Sequence, residues 1–195
     1  MNTDIKIILA SSSPFRRELL QRLDLEFTVI SPNIDETPHQ GELPEDLVLR
    51  LAEQKAEKIA ENVEDSIIIA SDQVACLGPV ILGKPMEHDA AVKQLENMRG
   101  KTVIFYTSLY VLDAQSKQYK TSRVDNYVQF REYTDEEIER YLQKELPYHC
   151  AGSFKSEKLG ISLIKEMSGP DPTALIGLPL MKLSEILREF GLQIP

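Results

Sequence analysis

Hydrophobic positions along this chain alternate between short continuous runs and helical stripes. The run from Ile5 to Ala10 is continuous and rich in Ile, as expected of a strand buried on both faces, and Ile67 to Ala70 repeats that pattern. Phe27 to Ile30 reads as a further strand. Pro44 to about Asn62 reads as a long helix, because Leu47, Val48, Leu51, Ala52, Ala56, Ile59 and Val63 share one arc at about 100° per residue. Further helices are expected over Asp89 to Met98 and Pro179 to Phe190. Thr102 to Leu112 and Tyr119 to Phe130 form two long alternating strands joined by the polar turn 113–117, so part of the sheet is antiparallel. A strand is also expected near Leu159 to Lys165.

Local signals fix several boundaries. Ser13 suits an N-cap and Pro14 the first position of a helix carrying Leu19, Leu20 and Leu23. Thr134 with Glu137 makes a capping box for a helix ending near Glu145. Strands alternating with helices around an inserted hairpin imply an α/β fold with a mixed sheet, the simple doubly wound fold being the alternative.

Some polar residues break the pattern. Lys55 projects into the apolar arc of the long helix, where an ammonium either snorkels to solvent or meets a negative partner. Asp72 follows the all-Ile strand directly, at the strand end where open α/β sheets place ligands. There it either caps a turn or activates water, alone or through a divalent metal. Ser11, Ser12 and Ser13 precede a helix start bearing Arg16 and Arg17, which is either an ordinary serine cap with surface arginines or a setting for an anion. Asp35 and Glu36 add carboxylates in a loop, and Lys84 adds a cation between Gly83 and Pro85. Arg16, Lys55 and Lys84 with these carboxylates describe a site for a triphosphate and a divalent cation, Mg²⁺ or Mn²⁺.

Composition narrows the picture. The 195 residues suit a single domain, 1–195, able to bury a real core. Acidic residues outnumber basic ones, 31 to 22, for a net charge of −9, which argues against nucleic-acid polymers and anionic membranes as partners. A small anionic substrate is compatible, held by a local cluster of cations. The chain start is too short in apolar residues for a signal peptide, and no stretch reaches the roughly 20 of a membrane span, so a cytoplasmic location is expected. Cys76 and Cys150 lack metal-ligand spacing and read as reduced thiols, while His39, His88 and His149 show no ligand spacing. Neither GxxxxGK[ST] nor GxGxxG is present.

Taken in order, the segments 9–20 (LASSSPFRRELL), Asp35-Glu36-Thr37-Pro38, Gln54-Lys55-Ala56, Ser71-Asp72-Gln73-Val74, Gly83-Lys84-Pro85, 150–160 and Ile176-Gly177-Leu178-Pro179 resemble the Maf-like family of nucleotide pyrophosphatases. The resemblance covers nearly the whole chain, and the ordered set of motifs makes it specific. It implies a two-lobed mixed twisted sheet flanked by helices with a central cleft, the fold shared with inosine triphosphate pyrophosphatases. It also implies Asp72 as the catalytic acid/base, Ser11, Ser13, Arg16, Lys55 and Lys84 on the triphosphate, and Glu36 with Asp72 at a Mg or Mn ion. Within the family, Ser71-Asp72-Gln73-Val74 resembles the branch acting on 7-methyl-GTP rather than the Ala-Asp-Thr-Val branch acting on dTTP and UTP. Phe15, Gln73 and Glu157 fall on that branch's base-specificity positions. N7-methylguanine is cationic, so an aromatic face at Phe15 and a carboxylate at Glu157 suit it.

The expected function is hydrolysis of 7-methyl-GTP to the monophosphate and diphosphate. The alternatives are a dTTP/UTP pyrophosphatase of the same family and a nucleotide-binding regulator of septum formation with little turnover. Lys155 stands either on the phosphates or beside Glu157 on the base. A homodimer is expected from the prevalence of twofold assemblies.

Overall fold

The computed structural model describes residues 5–195; Met1–Asp4, which open the stretch judged too short for a signal peptide, lie outside it. The sheet begins with β1 (Lys6–Ala10), whose Ile and Leu side chains are all buried, then α1 (Pro14–Gln21) and the exposed edge strand β2 (Thr28–Ile30). Next come α2 (Pro44–Ala60), the fully buried β3 (Ser66–Ala70), and the hairpin of β4 (Gln73–Leu77) and β5 (Val80–Leu82). Then follow α3 (His88–Met98), the long pair β6 (Thr102–Asp113) and β7 (Tyr119–Phe130), and α4 (Asp135–Glu145). Short 3-10 turns at Ala151–Ser153, Leu159–Leu163 and Ala174–Ile176 flank β8 (Ile164–Ser168), and α5 (Leu180–Glu189) closes the chain.

The sheet is eight-stranded and mixed: β2, β1 and β3 run parallel, and every other pairing is antiparallel. The expected α/β class with an antiparallel part is therefore what the chain adopts. Ser13 caps α1 and Thr134 with Glu137 caps α4, as the local sequence dictates.

β3 and β4 pair with the same strand, β6, in one register, since Ala70 faces Tyr110 and Gln73 faces Thr107. Ser71 and Asp72 are thus the point where a nearly continuous strand changes its partner on the other edge. Up to Leu9 and Ile69 that partner is β1; from Ala75 and Leu82 onward it is β5. Between the two the sheet forks.

The packing divides at the same place. On one face of β6, Val103 and Phe105 join a core with Leu95 and Met98 of α3 and Ile138 and Leu142 of α4. On the same face, Leu109 and Val111 join a second core with Leu19 and Leu20 of α1 and Leu183, Ile186 and Leu187 of α5. Thr107 lies between them, buried and polar. The opposite face of β3 and β1 is covered by α2, through Ala52, Ala56 and Ile59.

Two readings need correction. The segment after Asp72, expected only as a turn around Gly78-Pro79, is a β-hairpin about that turn. The strand expected near Leu159 to Lys165 is displaced to Ile164–Ser168, because residues 159–163 form a 3-10 turn. That turn is tied down by the Leu159 N–H, which donates to Glu145 Oε2 at 3.2 Å. It also needs glycine at Gly160, where a Cβ would lie 2.3 Å from the Lys155 carbonyl oxygen. No helix among the described residues is long and apolar enough to cross a membrane.

Candidate active site

Asp72 stands in the fork of the sheet. Its N–H donates to Ser108 Oγ at 3.1 Å, and its carbonyl accepts from Ser108 N at 2.9 Å, so its backbone is held by β6. Strand alternation then sends the Asp72 side chain toward α2 and those of Ser71 and Gln73 toward the opposite face. On the α2 side Lys55 meets it, with Nζ 2.5 Å from Asp72 Oδ1 and 2.8 Å from Glu36 Oε1. Lys55 is 5% exposed and Asp72 7%, so the lysine does not snorkel: it bridges two carboxylates.

Glu36 reaches this bridge from the loop before α2, whose position is set by Arg50. Arg50 donates to both oxygens of Glu42, at 2.6 and 2.7 Å, and to the Thr37 carbonyl at 3.2 Å. Asp35 accepts from the Thr37 N–H at 2.9 Å and makes the turn, leaving Glu36 as the carboxylate that faces inward. Partial burial raises the Glu36 pKa, but the hydrogen bond from Lys55 and the charges of Lys55, Lys84 and Arg16 outweigh it and hold the group below its ordinary value.

The serine loop lies alongside. Ser11 Oγ accepts from the Ser13 N–H at 3.1 Å and Ser13 Oγ from the Arg16 N–H at 3.4 Å, so each hydroxyl keeps its proton to donate outward. Arg16 turns into the cleft, its Nε donating to the Gly177 carbonyl at 2.9 Å. Burial lowers its pKa and the negative Asp72 and Glu36 act against that; the guanidinium stays charged. Arg17 points to solvent.

Across the fork, Gln73 and Ser71 meet the segment 174–177. Gln73 Nε2 lies 2.9 Å from Thr107 Oγ1, 2.8 Å from Ala174 O and 3.2 Å from Leu175 O, while Ser71 Oγ lies 2.9 Å from Gly177 O. Gly177 has φ 127°, a backbone conformation that favours glycine. Buried Asp171 sets this segment: its carboxylate accepts from Thr173 N and Oγ1 and from Met181 N at the start of α5, where the helix dipole favours its charge.

These groups open onto one cleft of about 670 Å³, lined by Ser11, Ser13, Phe15, Arg16, Glu36, Lys55, Asp72, Gln73, Lys84 and Glu157. Of the residues the sequence offered for the site, only Arg17 and Asp35 fall outside this space, whose size takes a nucleotide-sized ligand. Phe105, Phe154, Leu175 and Ile81 are among the apolar residues that also line it. A second concavity of similar volume, lined by Ile5–Ile7, Leu25–Thr28 and Gly191–Gln193, gathers none of the candidate groups. Lys155 also borders the cleft, but Glu145 engages its ammonium, with the carbonyl at 2.8 Å and Oε1 at 3.2 Å. Among the described residues no group of three or more His, Cys, Asp or Glu side chains forms a metal-binding cluster.

Sequence reasoning did not single out Thr107, Ser108, Arg50, Glu42 or Asp171. Only Asp171 carried a local signal, an Asp two residues before Thr between Pro170 and Pro172, the makings of an Asx turn.

A mixed α/β sheet forked at one strand junction, with a buried carboxylate in the fork and cations around it, defines a protein built to hold a polyanion. The chain belongs to the Maf-like family, whose model, described as Maf-like protein, matches residues 6–190. It is 54% identical to a 7-methyl-GTP pyrophosphatase of Methylobacillus flagellatus over 96% of this chain and 98% of that one. It is 51% identical to a protein of the same name from Nitrosococcus oceani, over 95% and 93%, and 44% identical to one from Vibrio vulnificus, over 97% of each. Among solved structures, the Ham1 protein of Staphylococcus aureus aligns with a TM-score of 0.45 at 17% identity, over 64% of this chain and 71% of that one.

Proposed function

We propose that this protein hydrolyses the α–β phosphoanhydride of 7-methyl-GTP, releasing the monophosphate and diphosphate, and so removes a modified nucleotide from the cytoplasmic pool. The observation that carries the reading is the Lys55 bridge to Asp72 and Glu36, set in a cleft that also gathers Arg16, Lys84 and the serine hydroxyls. The names of the relatives over nearly full length support the substrate.

In this reading Asp72 accepts the proton of the water that attacks the α-phosphorus. Its backbone, fixed by Ser108, keeps the carboxylate aimed from one direction. Arg16, Lys84 and the hydroxyls of Ser11 and Ser13 bind the phosphate oxygens, and Lys55 neutralises charge as the diphosphate leaves. Phe15 offers an aromatic face and Glu157 a carboxylate to the cationic base. Asp72 and Glu36 are hard oxygen donors bridged by a single ammonium, a pair that fits Mg²⁺ or Mn²⁺, which use one or two carboxylates together with substrate phosphates. When bound there, the ion supplies further neutralisation of phosphate charge.

Purified protein is assayed with 7-methyl-GTP, GTP, dTTP and UTP with Mg²⁺ or Mn²⁺ in water enriched in ¹⁸O. Preferred turnover of 7-methyl-GTP with the label in the monophosphate is expected. Preference for dTTP or UTP overturns the substrate, label in the diphosphate overturns attack at the α-phosphorus, and no turnover of any nucleotide favours a binding regulator. A homodimer belongs to the same proposal, and sedimentation tests it.

A further inference from the structure

The amide of Gln73 has a fixed direction. Gln73 stands directly across from Thr107 in the ladder, so both side chains share one face. The Thr107 hydroxyl is fully buried and lies 2.9 Å from the Ala174 carbonyl oxygen, which can only accept; its single proton goes there. What remains toward Gln73 is a lone pair, 2.9 Å from Nε2. The Ala174 and Leu175 carbonyls, at 2.8 and 3.2 Å from the same nitrogen, make the same demand. Turning the amide over would set Oε1 against two carbonyl oxygens, which can only accept. The nitrogen therefore faces inward, which leaves Oε1, without a hydrogen bond among the described residues, as the atom that Gln73 offers to the cleft it lines.

We infer that Thr107 is a positioning residue that, with the Ala174 and Leu175 carbonyls, fixes Gln73 as an obligate hydrogen-bond acceptor toward the nucleobase, so the cleft selects a base edge carrying donors or positive charge over one carrying a lone pair. This rests on the proposed nucleotide pyrophosphatase reading and adds the chemistry of its selectivity. Guanine keeps an accepting lone pair at N7. Methylation there removes it and leaves a cationic ring whose methyl and C8–H face oxygen favourably, while N1–H and the amino group donate in both bases. Glu157, the other polar group assigned to the base, carries a negative charge when ionised, which favours the cationic ring over the neutral one, so the two groups select in the same sense. A rigid acceptor cannot turn over to accommodate the unmethylated base, whereas a freely rotating glutamine could.

Two measurements test this. In the nucleotide-free protein, nitrogen-15 NMR should show the Gln73 side-chain NH₂ protons exchanging slowly with water in wild type and Thr107→Ser, and faster in Thr107→Val. Exchange in wild type at the rate of an exposed amide overturns the inference, whatever the substrate proves to be. In kinetics, Thr107→Val should lower the preference for 7-methyl-GTP over GTP by about three- to tenfold, the size expected for one neutral hydrogen bond, mainly through KM. Thr107→Ser should restore it. An unchanged preference in Thr107→Val, or an equal fall in kcat for both nucleotides, reduces Thr107 to a structural residue and overturns the inference. A wild type with no preference for 7-methyl-GTP overturns the substrate reading instead, leaving the direction of the amide to be decided by the exchange rates.

Discussion

The Lys55 ammonium serves two carboxylates at once, and this separates the roles of the residues around it. Replacing Asp72 by Asn removes the proton acceptor but leaves Lys55 its contact with Glu36, so the ammonium is not stranded. Asp72→Asn is therefore expected to lower kcat by roughly 10²–10⁴-fold while nucleotide binding, measured by calorimetry, survives. Lys155 should behave oppositely. Sequence left it on either the phosphate or the base side; in the structure it borders the cleft with its ammonium tied to buried Glu145, and that tie predicts a structural duty. Lys155→Met should cost on the order of 3 kcal/mol in urea unfolding, with KM for the nucleotide little changed. Asp72 and Lys55 were legible in the sequence because each breaks a strong apolar pattern. The direction of the Gln73 amide was not, because its acceptors lie 34 and 101 residues away.

At the scale of elements, the strand and helix signals that held were those with local causes: the Ser13-Pro14 start of α1, the Thr134–Glu137 box of α4 and the apolar stripe of α2. The hairpin of β4 and β5 was missed because Asp72 and Gly78-Pro79 cut its apolar runs short, and it takes pairing of β4 with β6 and of β5 with β4 to make strands of them. The loop before α2 also owes its place to a tertiary contact. Hydrogen bonding from Arg50 is the main reason the Glu42 pKa falls from 4.5 to about 2 in the folded protein. A pKa depressed by folding stabilises the native state above the unfolded value and stops doing so as pH falls through the folded one. The stability difference between wild type and Arg50→Ala should therefore be full above about pH 4.5 and shrink toward pH 2. Unfolding titrations across that range check it. At neutral pH, Arg50→Ala should also raise KM, since the loop it releases carries Glu36.

For the molecule as a whole, the division of the core at Thr107 matters most. Ser11 and Arg16 belong to the half built on α1 and α5, whereas Lys84 and Glu157 belong to the half built on α3 and α4, and the cleft lies between. A nucleotide spanning phosphate and base groups from both halves adds contacts that the halves do not make with each other. Binding to the native state alone stabilises by about 2.7 kcal/mol at a ligand concentration 100 times Kd. For a chain of this size that corresponds to a rise in Tm of roughly 5–10 °C. Asp72→Asn is the form to use, because it holds the nucleotide without consuming it. Hydrogen exchange separates this bridging from a local effect. With 7-methyl-GTP bound, amides of β1 and the start of α1 and amides of β5 and the 150–157 segment should slow together. Slowing confined to one half would mean that the ligand occupies only the serine loop or only the base side, and that the fork at Asp72 does not couple the two cores.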